Sequence, residues 1–84
     1  MNILAADDEV KIREAVSDYL THKGINVLTA ENGRQALEIL RTQTVDFIIL
    51  DLMLPDISGE EVCRNIREAC SEIYQEGRIY QYHC

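Results

Sequence analysis

Asp7, Asp8 and Asp51 are the residues of this sequence best placed to do chemistry. The first two follow the apolar run Ile3-Leu4-Ala5-Ala6, and the third follows Phe47-Ile48-Ile49-Leu50. Each has an ordinary reading alone, Asp7 and Asp8 as caps of a helix and Asp51 as the polar end of a strand. Brought within several ångströms they read differently, because three carboxylates repel one another unless a cation or protons offset the charge. Mg²⁺ suits such a site better than Ca²⁺ or zinc, since it takes one or two carboxylates together with waters and a phosphate oxygen. The matching chemistry is phosphoryl transfer, in which a protein mainly positions groups and neutralises charge. A carboxylate can then act as the nucleophile and become an acyl phosphate.

Whether the three meet depends on the elements that carry them. Ile3–Ala6 reads as a buried strand ending in carboxylates. Ile12, Ala15, Val16, Tyr19 and Leu20 recur with helical period after it, with Asp8 as the expected N-cap, so a first helix is predicted to about Lys23 and to end at Gly24. Residues 25–30 read as a second strand at a sheet edge. Asn32 and Gln35 form a capping pattern for a second helix buried through Ala36, Leu37 and Leu40. Val45–Leu50 is nearly continuous in apolar character, as a strand covered on both faces requires. Ser58 and Glu61 then start a third helix, predicted to run to Gly77 with Val62, Ile66, Ala69 and Ile73 inward. Strands alternating with helices imply right-handed βαβ units and a doubly wound parallel α/β sheet. With the two most apolar strands central, the order is 2-1-3. The switch point between strands one and three then lies at the strand ends that carry Asp7, Asp8 and Asp51.

Composition narrows the alternatives. The 84 residues suffice for one small domain, and 46% hydrophobic with 27% charged residues is a globular balance. A net charge of −7 repels nucleic acid and anionic membrane, so direct binding to either is not expected. No apolar run approaches the roughly 20 residues of a membrane span, and residues 1–4 lack the features of a signal peptide; a cytoplasmic protein is expected. In that compartment Cys63, Cys70 and Cys84 are expected to remain thiols, and no spacing supports zinc among them.

The segments Ile3–Glu9, Ile49–Gly59 and Glu60–Glu68 resemble the receiver domain of two-component response regulators, a flavodoxin-like fold, and within that family the receivers that precede winged-helix DNA-binding domains. The resemblance implies that Asp51 accepts a phosphoryl group from a phosphohistidine on a sensor histidine kinase. It also implies that Asp8 binds Mg²⁺ directly, Asp7 directly or through water, and that the backbone carbonyl of Met53 completes the protein ligands. The protein is then a phosphoacceptor and not a turnover enzyme; a Mg²⁺-dependent phosphatase is a weaker alternative, with no separate general acid in sight.

The likeness covers 1–70, leaving 71–84 as an atypical tail of a single receiver domain truncated after its third helix. Receivers continue into strands ending in Ser or Thr and then Lys, whereas no lysine follows Lys23 here, so phosphorylation is expected to be impaired. Arg78–Cys84 is expected to lie beside strand three through a right-handed crossover, as a fourth strand. Without it, Phe47–Leu50 would be an apolar edge inviting a homodimer or strand-exchanged oligomer. The alternative function is a receiver fragment that takes no phosphate and serves as an oligomerising or kinase-binding module.

Overall fold

Short apolar runs separated by amphipathic segments fix the architecture. In a computed structural model that describes all 84 residues, the order is β1 (Asn2–Ala6), α1 (Val10–His22), β2 (Asn26–Ala30), α2 (Gly33–Thr42), β3 (Phe47–Asp51), α3 (Gly59–Arg67), β4 (Ser71–Glu76) and β5 (Ile79–His83). One five-stranded sheet has the order β2-β1-β3-β5-β4. Its β2-β1-β3 half is parallel, with Ala6 opposite both Ala30 and Leu50. The predicted 2-1-3 order and the edge position of β2 are borne out, and the fold is flavodoxin-like.

The core fills one face of this sheet. Leu4, Ala6, Ile48, Leu50 and Tyr82 meet Ala36 of α2 and Val62, Cys63 and Ile66 of α3. Strand alternation sends Ala5 and Ile49 to the other face, where they meet Ile12 and Val16 of α1. There α1 stands alone, and none of its residues is fully buried. The stripe read from its sequence is therefore only half covered, with Tyr19 63% exposed. Asp8 is not its cap. Glu9 occupies that position without a side-chain bond, and the Asp7 carboxylate instead accepts the Glu9 N–H at 2.9 Å. The other two starts follow the sequence: Asn32 accepts from Gln35 N–H and Ser58 from Glu61 N–H.

The largest departure lies after α3. The helix ends at Arg67, and residues 71–76 form β4, hairpinned onto β5 across Gly77-Arg78. Ala69 and Ile73 thus leave the helix, and Ile73 is 57% exposed. Gly77 has φ +58, which suits the first central residue of a tight two-residue hairpin turn and needs glycine. The tail does lie beside strand three, with Leu50 opposite Tyr80, but antiparallel. A hairpin reverses the chain, whereas the expected crossover would have kept it parallel. Phe47–Leu50 is consequently paired on both sides, so it is not the open edge from which association was argued. β2 and β4 form the edges instead.

The hairpin also alters the cysteine chemistry. Ser71 pairs with His83, bringing the neighbouring Cys70 and Cys84 together as a disulfide, while Cys63 stays a buried thiol. The expectation of three thiols fails because Cys70 lies beyond the helix end, at the mouth of the hairpin. Tyr82, fully buried beside Cys63, has a hydroxyl without a hydrogen-bond partner. Burial, and then the neighbouring thiol, pushes that phenol above its ordinary range.

Two outcomes follow for denaturant titrations. Tyr82→Phe is neutral or stabilising by up to about 1 kcal/mol, since it removes an unsatisfied buried hydroxyl, whereas Tyr82→Ala costs about 3–5 kcal/mol. Cys84→Ser opens a link between residues 14 apart and lowers stability by about 3 kcal/mol. Alkylation of denatured, unreduced wild type labels a single cysteine, and three labels would contradict the disulfide.

Candidate functional site

Parallel pairing with Ala6 opposite Leu50 places the residues that follow each strand next to one another. Oxygen atoms of Asp7, Asp8 and Asp51 lie within 4.8 Å of each other. The structure thus gathers the three aspartates singled out from the sequence. Asp51 and Asp7 are only 2% and 7% exposed, and Asp8 faces solvent.

Each position is held by backbone bonds. The Asp7 N–H donates to the Ala30 carbonyl at 3.0 Å, extending the β1–β2 ladder. Its own carbonyl accepts from Arg13 Nη1 at 2.8 Å. Arg13, whose Nη2 also lies 3.9 Å from Glu31, is a strut from α1 to the end of β1 and not the solvated helix residue its sequence position suggests. One Asp51 oxygen accepts the Met53 N–H at 3.0 Å, which draws the loop after β3 over the site.

That loop is pinned at three further points. Leu52 N–H donates to the Arg78 carbonyl at 2.8 Å. The Asp56 carboxylate accepts from Gly33 and Arg34 N–H at 2.7 and 2.9 Å, joining the loop to the start of α2. The little burial at Asp56 opposes ionisation, but these backbone donors outweigh it and hold the carboxyl below its usual range. Gly59 sits so close to Leu52 that an added Cβ would lie 2.7 Å from its carbonyl oxygen, so only glycine lets α3 start there.

Two functional groups escaped the sequence reading. Asp56 is one, and its signal was an Asp directly after the only proline, a position from which a carboxylate accepts from backbone N–H groups. Arg78 was assigned to the tail, yet its Nε lies 3.4 Å from Asp51 Oδ1. The missed signal was the triplet Ile-Tyr-Gln at 73–75 and again at 79–81, flanking Gly77-Arg78 as a hairpin would.

The electrostatics fit a hard cation. Burial raises the Asp7 pKa above its ordinary value against the Glu9 N–H, which lowers it, and the charges of Asp51 and Asp8 raise it further. Three oxygen donors of one sign, two of them withdrawn from water, are a donor set that a divalent ion satisfies. Beside them, Ala5, Ala6, Ile12, Val16, Ile49 and Ile79 line an apolar groove of about 200 Å³ under α1.

The raised pKa of Asp7 fixes a pH dependence. In the metal-free protein, between the unfolded and the raised folded value, the folded state keeps a proton that the unfolded chain has lost. Stability contributed by this group therefore falls as pH rises through that window. Asp7→Asn is expected to stabilise the metal-free protein at neutral pH by on the order of 1 kcal/mol, or about 4–8 °C in Tm, and to weaken Mg²⁺ binding at least about tenfold. Thermal melts and a Mg²⁺ titration check both signs.

Comparison with known proteins agrees with this geometry. The signature of the response regulator receiver domain matches residues 3–74. The chain is 43% identical over 68 residues to Response regulator RR06 of Streptococcus pneumoniae, covering 81% of this chain and 31% of that protein. It is 47% identical over 66 residues to the transcriptional regulatory protein AfsQ1 of Streptomyces coelicolor, covering 79% and 29%. The chain thus spans about a third of the length of these relatives. Among solved structures, it is similar to the response regulator TrrA of Thermotoga maritima in complex with Mg²⁺-BeF, with a TM-score of 0.74, 43% identity, and coverage of 80% of this chain and 58% of that one. TrrA has also been solved in complex with histidine kinase ThkA, where the TM-score is 0.74 and the coverage 81% and 59%. With four-fifths of its length matched and the acidic cluster in place, the chain belongs to the receiver-domain family of two-component response regulators.

Proposed function

We propose that residues 1–84 act as one receiver module that accepts a phosphoryl group on Asp51 from a sensor histidine kinase. The observation that carries this reading is the convergence of Asp7, Asp8 and Asp51, with Asp51 buried in the middle of the sheet's C-terminal end. Asp8, Asp7, Asp51 and the Met53 carbonyl would hold Mg²⁺. When bound, that ion supplies positive charge to offset the carboxylates and the phosphoryl oxygens. The remaining work falls to the chain. A carboxylate oxygen of Asp51 bonds to phosphorus as the donor's P–N bond breaks, and the leaving nitrogen keeps the electron pair. The Met53 N–H and the Arg13 strut keep Asp51 and Asp7 in position for this. A histidine kinase is the fitting donor because TrrA has been solved with one. The role is self-modification, without turnover of a foreign substrate and without direct contact to nucleic acid.

A second reading is favoured by the open face under α1. Ile12, exposed at the edge of an apolar groove, and exposed Tyr19 on the same helix suit contact with another copy or with a kinase in the absence of phosphorylation. Intact mass after incubation with acetyl phosphate and Mg²⁺ separates the two. An added phosphoryl mass that needs Mg²⁺ and vanishes in Asp51→Asn is the expected result, at a rate about 10²- to 10³-fold below that of a complete receiver. No adduct on a folded, Mg²⁺-binding sample would leave the association module, as a homodimer or strand-exchanged oligomer seen by light scattering.

A further inference from the structure

We propose that Arg78, delivered by the β4–β5 hairpin, is the cation that contacts the phosphoryl group at Asp51. The inference rests on the phosphoacceptor reading and supplies a cation at a rim where no lysine is available beyond Lys23. Asp51 has one ion-pair partner in the structure, and it is Arg78. Arg13, the guanidinium that lines the groove under α1, is already committed to the Asp7 carbonyl and to Glu31. The Arg78 backbone is fixed, because its carbonyl accepts from Leu52 N–H and the next residue, Ile79, pairs with Asp51. Its side chain is not fixed, being 58% exposed.

The separation of 3.4 Å is longer than a good N–H···O bond, so the guanidinium attends the carboxylate without being locked to it. Its planar fork of donors stays available for an incoming tetrahedral oxyanion, which it can grip through two oxygens. In reaction with acetyl phosphate, an Asp51 oxygen bonds to phosphorus while the P–O bond to acetate breaks and acetate leaves with the electron pair. Charge on the transferring oxygens then faces the Arg78 guanidinium. The hairpin, read from sequence as a foreign tail, is thereby part of the site.

The test compares wild type with Arg78→Gln and Arg78→Lys at saturating Mg²⁺. Neither change touches the backbone bonds of Arg78, and thermal melts confirm folding. Arg78→Gln is expected to slow phosphorylation by acetyl phosphate about tenfold, less than a buried donor would because solvent screens the exposed side chain. Binding of beryllofluoride, followed by fluorine NMR, is expected to weaken by a similar factor, and Arg78→Lys to fall between. Mg²⁺ affinity should change little. Unchanged rate and beryllofluoride affinity in Arg78→Gln would overturn the proposal. So would tighter Mg²⁺ binding with an undiminished rate, which would make Arg78 a mere stand-in for the metal. If wild type takes no phosphoryl group yet binds beryllofluoride in an Arg78-dependent way, the transfer reading fails and this contact stands. If wild type binds no beryllofluoride, the contact fails as well.

Discussion

The parallel pairing of β1 with β3 constrains everything else in this molecule. Both strands are apolar on both faces, and they can bury that surface only as neighbours in the middle of a sheet. Once Ala6 lies opposite Leu50, the next residue on each strand is a carboxylate, and two negative charges share the sheet's C-terminal rim. Hydrophobic burial thus forces an electrostatic conflict that the strands cannot relieve by sliding, because a one-residue slip would turn every core side chain outward. What surrounds the rim then acts on that conflict: Arg13 and Glu9 hold Asp7, Met53 holds Asp51, and Arg78 brings an opposing charge.

The two faces of the sheet are unequally served. α2 and α3 cover one with a continuous core, whereas α1 alone shields the other. Tyr82 lets the hairpin join the covered face. Its ring enters the core opposite Ile48, and Tyr80 stacks on it with centroids 6.2 Å apart. This anchoring makes β5 a working strand of the sheet despite its many polar residues, since one buried aromatic outweighs the alternation of Gln81 and His83 toward solvent.

The parallel half of this architecture was legible residue by residue. Ile3–Ala6 and Phe47–Leu50 are short, apolar and followed by carboxylates, and a strand-helix alternation of this spacing admits few topologies. The site followed from that topology, because switch-point geometry depends on strand order and not on loop detail. The region after Arg67 was not legible in the same way. Ala69 and Ile73 continue the helical period of Val62 and Ile66, so periodicity extends the helix; the hairpin across Gly77-Arg78 wins in the fold because β5 also pairs with β3, a contact distant in sequence. Arg78 was invisible for the same reason, since only the antiparallel return of β5 carries it back to the rim. Asp8 was misjudged as a cap because the sequence alone does not say which of two adjacent aspartates faces the helix start.

The Cys70–Cys84 link makes a closed ring of the hairpin. An open hairpin frays from its free ends, where the pairing is least supported. Here the mouth of the hairpin is stitched to the end of α3, and the opposite pole, the Gly77-Arg78 turn, is tied to the loop after β3 through the Leu52–Arg78 backbone bond. The covalent stitch therefore closes the ordinary route of fraying at one end of β4 and β5, while the end at the carboxylate rim is held by hydrogen bonds alone.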